Sequence, residues 1–223
     1  MLDKNWNVCD MSLSKYRYIV VEGPIGVGKT SLARRLAEHG GAQVMLEKPQ
    51  DNPFLVRFYE DPERFALQTQ LFFLFQRLNE VRDLAQMDMF QNRTVSDYLF
   101  EKDALFARLN LSEDEYQLYQ AIYQRLAPQV PAPDLVIYLQ ATTDTLISRV
   151  RRRGHRHERA IQDEYLTRLA DSYGEFFHHY AEAPVLVVNS ENLNFADNDA
   201  DFQLLLDRIE RMRSQREYFN VGE

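Results

Sequence analysis

Eight consecutive residues, Gly23-Pro24-Ile25-Gly26-Val27-Gly28-Lys29-Thr30, fit the spacing GxxxxGK(S/T). Glycines there let the backbone fold tightly and turn its N–H groups toward a polyphosphate, and a helix beginning at the lysine adds the partial positive charge of its N-terminus. In such a loop Gly23, Gly26, Val27 and Gly28 form the cradle, Lys29 reaches the β- and γ-phosphates, and the Thr30 hydroxyl ligates Mg²⁺. Two acids end short stretches that read as strands: Glu47 after residues 42–46 and Asp97 after residues 93–96. Glu47 is a candidate general base, and Asp97 a candidate Mg²⁺ ligand, directly or through water. Arg149, Arg152, Arg153 and Arg156 recur at spacings of three and four, which crowds like charge on one face unless an anion relieves it. Arg149 and Arg153 are candidate clamps on a transferred phosphoryl group, with Arg153 and Arg156 over the donor phosphates. Gln70, Phe73 and Arg77 share a helical face, and two planar hydrogen-bonding groups flanking an aromatic suit a flat heterocycle. Phosphoryl transfer needs these parts: a held donor, cations for the spreading charge, and a base for the acceptor hydroxyl.

Those groups need elements to position them. Residues 17–22 read as a buried β-branched strand and residues 31–37 as an amphipathic helix, so the loop sits between strand and helix. Gly40-Gly41 stops that helix. Spacing predicts further strands ending at Glu47 and Asp97 and at residues 135–139 and 184–188. Helices are predicted from residue 51 through Tyr59, from Glu63 to about Phe90 with Ala85 on its apolar face, and over 98–106. Others follow at 112–126, stopped near Pro128, then 142–153, 165–180 and 201 to about 216. Five strands separated by helices predict an α/β fold of the P-loop NTPase kind. Its five-stranded parallel sheet has helices on both faces, and an arginine-rich lid is hinged at Gly154. Ligands bind such sheets beyond the C-terminal strand ends, which puts Glu47 in the same crevice as Lys29. Residues 1–16 read as a flexible segment before a single domain at 17–223. Each site group also has a plain structural reading: a loop acid at 47, solvated Gln70 and Arg77 beside a core Phe73, and a solvated basic turn.

The bulk numbers narrow the partners. With 223 residues, 45% hydrophobic and 12% aromatic, the chain can bury a full core. No apolar run approaches the ~18 residues that span a bilayer, and the first fifteen lack the apolar block of a secretory signal, so the expectation is a cytoplasmic protein with no membrane partner. Cys9 stands alone, which excludes an intrachain disulfide or a cysteine-rich metal site. His155 and His157 have no ligand-spaced acid or cysteine to complete a metal site. A net charge of −8 argues against polymeric nucleic acid, so phosphate binding must be local.

In the order Glu22 to Thr30, Asn52-Pro53-Phe54-Leu55, Phe58-Tyr59-Glu60-Asp61-Pro62, Gln68-Thr69-Gln70 through Arg77, Asp97 to Ala107, and Arg149 to Glu158 followed by Ile161 and Tyr165-Leu166, the chain resembles the deoxynucleoside kinase family. The likeness is to bacterial deoxyadenosine and deoxyguanosine kinases in particular and runs from Tyr18 to Phe195. It implies ATP-dependent phosphorylation of the 5′-hydroxyl of deoxynucleosides, purines favoured, in nucleotide salvage, with ATP or another triphosphate as donor, Mg²⁺, and a homodimer formed through two helices. It further implies that Glu47 is the base for the 5′-hydroxyl, that Tyr59 and Glu158 hold the 3′-hydroxyl, and that Gln70, Arg77 and Asp103 read the base edge. Two departures stand out. The family commonly has Asp-Arg-Ser or Glu-Arg-Ser where this chain has Asp97-Tyr98-Leu99, leaving Lys48, Arg93 or Lys102 to supply the cation. The arginine after the lid glycine is His155 here, followed by Arg156.

Two other readings share the loop. A thymidylate-type monophosphate kinase must also grip its acceptor's phosphate, and comparing nucleoside with monophosphate as substrate separates it. A nucleotide-dependent switch would bind ATP without transferring phosphate, and the NKxD stretch of guanine-specific switches is absent from the sequence.

Overall fold

The computed structural model describes residues 13–86, 93–126 and 131–221. Its strands are β1 (Tyr18–Glu22), β2 (Gln43–Met45), β3 (Thr94–Ser96), β4 (Leu135–Gln140), β5 (Val185–Asn189) and β6 (Arg216–Phe219). They form one parallel sheet in the order β2-β3-β1-β4-β5-β6. Period-two side-chain alternation divides the core between the two faces. Ile19, Val21, Leu135, Ile137, Leu139, Leu186 and Val188 pack on one face; Tyr18, Val20, Val136, Tyr138, Val185 and Val187 pack on the other. Near-continuous apolar strands of this kind are what a parallel sheet covered on both sides requires.

The first face carries α1 (Lys29–Gly40) and α8 (Asp199–Arg211), through Leu32, Leu36, Phe202, Leu205 and Ile209. The second carries α2 (Leu55–Glu60), α4 (Lys102–Asn110) and α7 (Asp163–His179), through Leu55, Phe58, Leu105, Leu169, Tyr173 and Phe177. A smaller core of Leu74, Leu78, Phe100, Ala107 and Tyr119 joins α3 (Pro62–Gln86) to α5 (Glu113–Leu126). α6 (Thr143–Arg153) begins at Thr142, whose Oγ1 accepts from the Thr145 N–H, and ends at Gly154 in the left-handed region.

Several elements differ from the sequence reading. The sheet has six strands, not five: β6 is a short edge strand of charged and aromatic residues without an apolar run, and α8 ends at Arg211 to make room for it. α2 starts at Leu55, after a 3-10 turn at Pro49–Asp51, because the Asn52 side chain accepts from the Phe54 N–H and donates to the Thr69 carbonyl. α4 starts at Lys102, and residues 98–101 form a turn above the strand ends. Leu13 is buried and Tyr16 reaches the Ile209 carbonyl at 3.5 Å, so the chain docks on the domain before residue 17. Cys9, the expected helix at 87–90, the Ala85 side chain and Pro128 lie outside the described residues.

The parallel sheet puts every strand's C-terminal end on one edge. There the loop after β1 is squeezed between the end of β4 and the body of α6. A Cβ on Gly23 would lie 2.4 Å from the Leu139 carbonyl oxygen. One on Gly26, where φ is +89°, would lie 2.9 Å from that of Leu146. These two positions need glycine for close approach as well as for conformation.

Candidate active site

The loop and its helix place Lys29 and Thr30 at the head of α1. The Lys29 ammonium donates to the carbonyls of Gly23 (2.7 Å) and Pro24 (3.2 Å), so it lies folded back on the cradle. Burial lowers its affinity for a proton, while Glu22 pulls the other way. Thr30 Oγ1 donates to Asp97 Oδ2 at 2.5 Å, and Asp97 Oδ1 accepts from the backbone N–H of Glu47 at 2.7 Å. Asp97 therefore ties the ends of β2 and β3 to the phosphate loop. The Thr30 hydroxyl and Asp97 carboxylate are hard oxygen donors held side by side at the loop, a donor set suited to Mg²⁺.

Glu47 lies two residues beyond β2 and faces two cations. Arg77, from α3, donates through Nη2 to Glu47 Oε1, and its Nη1 is paired with the fully buried Asp103. Lys102 Nζ, from α4, lies 3.2 Å from Glu47 Oε2. Burial alone would raise the Glu47 carboxyl, but Lys102 and Arg77 overcome it and hold the group well below the usual carboxylate range.

These groups line one cavity of about 80 Å³ with Lys29, Tyr59, Gln70, Phe73, Glu158 and Tyr165. Phe73 and Arg77, one turn apart on α3, line it side by side, the guanidinium 5.2 Å from the ring centre. Tyr59 and Tyr165 meet edge to face at 6.0 Å. Gln70 Oε1, Thr69 Oγ1, Arg77 Nε and Asp103 Oδ2 are buried without hydrogen-bond partners among the described residues. Buried polar atoms are costly unless satisfied, so their clustering around a cavity marks where a polar ligand belongs. Tyr98, at the position where the resemblance leads one to expect an arginine, is buried with its hydroxyl donating to Glu80 Oε2 at 2.6 Å.

A second cavity, about 1040 Å³, opens on the other side of the loop. Gly26, Val27, Gly28, Arg149, Arg152 and Arg153 line it together with residues 190–197 after β5. Arg149 is spent on the loop and the end of β5: its guanidinium donates to the Val27 carbonyl (3.3 Å), Ser190 Oγ (3.2 Å) and the Ser190 carbonyl (2.8 Å). It thus braces the loop against the end of β5 and forms a wall of this cavity. Arg153 reaches the other way, pairing through Nη2 with Glu158 Oε1 and through Nε with Oε2 at 3.1 Å. The lid segment runs through a 3-10 turn at Arg156–Glu158 in which Arg156 is exposed, and His155 stacks on His157 at 5.5 Å.

Of the residues singled out in the sequence, Lys29, Glu47, Tyr59, Gln70, Phe73, Arg77 and Glu158 share the smaller cavity, and Asp103 stands behind Arg77. Gly26, Val27, Gly28, Arg149 and Arg153 share the larger one. Two groups escaped a role in the sequence reading. Glu22 ends β1 fully buried, accepting from Gly23 N (2.9 Å), Leu99 N (2.7 Å) and the Tyr173 hydroxyl (3.0 Å). The strand-end rule that pointed to Glu47 and Asp97 applies equally to Glu22. The segment 190–197 also follows a strand end, but carries no motif that marks it.

Comparison with known proteins bears on the family and the fold. A family model described as deoxynucleoside kinase matches residues 19–213. Deoxyguanosine kinase of Bacillus subtilis is 32% identical over 200 residues, covering 87% of this chain and 97% of that protein. Deoxyadenosine kinase of Lactobacillus acidophilus is 30% identical over 210 residues, covering 87% and 96%. Among solved structures, deoxyadenosine kinase from M. mycoides with bound dCTP superposes with a TM-score of 0.75 at 23% identity, over 87% of this chain and 100% of that one, which bears on the fold.

Proposed function

The chain belongs to the deoxynucleoside kinase family, and on that premise we propose that it transfers the γ-phosphate of ATP to the 5′-hydroxyl of a purine deoxynucleoside. It is an enzyme that phosphorylates deoxynucleosides, a reaction that serves nucleotide salvage. The observation that carries the finer reading is the smaller cavity, where Lys29 and Glu47 meet Gln70 and Arg77, whose buried polar atoms await partners.

In this reading the triphosphate enters over the loop, its base in the larger cavity. Lys29 exchanges the carbonyls of Gly23 and Pro24 for donor phosphate oxygens. The deoxynucleoside lies in the smaller cavity with its base against Phe73 and its edge toward Gln70 and Arg77, which Asp103 orients. Tyr59 and Glu158 hold the 3′-hydroxyl. The acceptor oxygen attacks the γ-phosphorus and forms the new O–P bond. The bond from the γ-phosphorus to the bridging oxygen breaks, and its electron pair leaves on ADP. The hydroxyl proton passes to Glu47. Thr30 and Asp97 would hold Mg²⁺, which when bound neutralises charge on the β- and γ-phosphates. Arg153 engages the donor phosphates by leaving Glu158, and Arg156 joins it from the exposed turn as the lid closes. Arg149 acts by bracing the loop.

Purine preference is supported by the names of the relatives, deoxyguanosine and deoxyadenosine kinases. A homodimer is supported by the family resemblance and by Phe75 and Leu118, which stand half exposed on α3 and α5. No helix among the described residues is long and apolar enough to cross a membrane, which is compatible with a cytoplasmic enzyme. Competition among deoxyadenosine, deoxyguanosine, deoxycytidine and thymidine for Mg-ATP tests the substrate assignment. One or both purines are expected to win by about tenfold or more, the scale of one well-matched hydrogen-bonding group. Preference for a pyrimidine would overturn it.

A further inference from the structure

Lys102 opens α4 with a relative exposure of 2%, an unusual place for an ammonium group. Its Nζ lies 3.2 Å from Glu47 Oε2 and 3.6 Å from Glu22 Oε2, with the rings of Tyr98 and Phe106 at 5.8 and 5.9 Å. It also lines the cavity that holds Glu47 and Lys29. The two carboxylates have different futures in the reaction. Glu22 is fixed by Gly23 N, Leu99 N and the Tyr173 hydroxyl and takes no proton from the acceptor. Glu47 is the proton acceptor.

We propose that Lys102 is a catalytic residue of phosphoryl transfer: it orients Glu47 toward the acceptor hydroxyl and then turns its charge on the phosphoryl group as Glu47 is neutralised. The inference rests on the kinase reading above. Before transfer, Glu47 faces Arg77 and Lys102 together. Once the hydroxyl proton reaches Glu47, Arg77 still has the buried Asp103, whereas Lys102 keeps only the more distant Glu22. Lys102 is therefore the cation released at the moment negative charge spreads over the phosphoryl oxygens, where a preplaced charge in a site shielded from water has its largest effect. Tyr98 makes this arrangement possible. Its ring lies 5.8 Å from both Arg77 and Lys102 and its hydroxyl is anchored on Glu80, so it spaces the two cations around Glu47.

Lys102→Met removes the charge and keeps the length of the side chain. It is expected to lower kcat by roughly 10²–10³-fold, as for loss of one transition-state donor, with the KM for ATP nearly unchanged. A lysine that only braced the fold would cost stability without this loss confined to kcat. Lys102→Arg should retain most of the turnover, and Tyr98→Arg introduced into Lys102→Met should restore about tenfold or more by bringing a guanidinium to the same space. If Lys102→Met does not fold, Lys102→Met with Glu22→Gln keeps the buried charge balanced and takes its place. A folded variant of either kind with turnover within about threefold of wild type would overturn the proposal. The wild-type protein is assayed alongside. If it phosphorylates no deoxynucleoside, the kinase reading itself fails; if it is active and Lys102→Met matches it, only the role of Lys102 fails.

Discussion

Glu47→Gln is expected to lower kcat by about 10²–10⁴-fold, the usual contribution of a positioned general base. The amide keeps the shape of the side chain and leaves one oxygen for Arg77 or Lys102 where the carboxylate offers one to each, but it cannot accept the acceptor proton. Nucleoside binding should survive, because Gln70, Phe73 and the Arg77–Asp103 pair that form the base side of the cavity are untouched. The loss should therefore fall on kcat more than on KM, which steady-state kinetics with varied nucleoside will show. In the wild type, two cations hold Glu47 ionised well below the usual carboxylate range, so the acid limb governed by the free enzyme should lie at low pH. A Glu47→Gln enzyme with wild-type turnover would remove Glu47 from the chemistry.

Arg77→Met is expected to damage stability as well as activity. It strips the cation from Asp103, which is fully buried, and from Glu47 at the same time. Breaking a buried pair by removing one partner costs about 3–5 kcal/mol. For a domain of this size that corresponds to a fall in Tm of roughly 6–20 °C, taking about 2–4 °C per kcal/mol. The pH dependence has a definite sign. A carboxyl whose folded pKa is depressed adds stability that is present above its unfolded pKa and is lost as pH falls through the folded value. In the wild type that loss is confined to strongly acid pH. In Arg77→Met the Glu47 carboxyl moves back up, so its contribution shrinks and disappears at higher pH. Thermal unfolding followed across pH checks both parts, and a Tm at pH 7 within about 2 °C of wild type would contradict the burial argument.

The sequence exposed those parts of the molecule that follow local rules. The phosphate loop is a pattern of backbone requirements, and the contacts at Gly23 and Gly26 show why no larger residue fits. The central strands are legible because burial on both faces demands unbroken apolar runs. β6 was invisible for the opposite reason: Arg216 and Glu217 interrupt any apolar pattern, and an edge strand does not need one. Lys102 shows where local reading ends. A lysine at the head of a helix is ordinarily solvated, and only the approach of β1, β2 and α4 encloses it between Glu22 and Glu47. Arg149 and Arg153 make the same point within one helix. Their spacing groups them on one face, but the partners available at the ends of β5 and in the lid pull Arg149 to the Ser190 carbonyl and Arg153 to Glu158.

The most direct measurement is the product of one reaction. Purified protein with Mg-ATP is given each deoxynucleoside in turn, and the products are identified by phosphorus NMR and chromatography, with Glu47→Gln run in parallel. The expected result is a deoxynucleoside 5′-monophosphate formed in equal amount with ADP by the wild type, and about 10²–10⁴-fold more slowly by the variant. ADP and free phosphate without any nucleoside monophosphate, or no consumption of ATP with all four deoxynucleosides, would contradict the assignment.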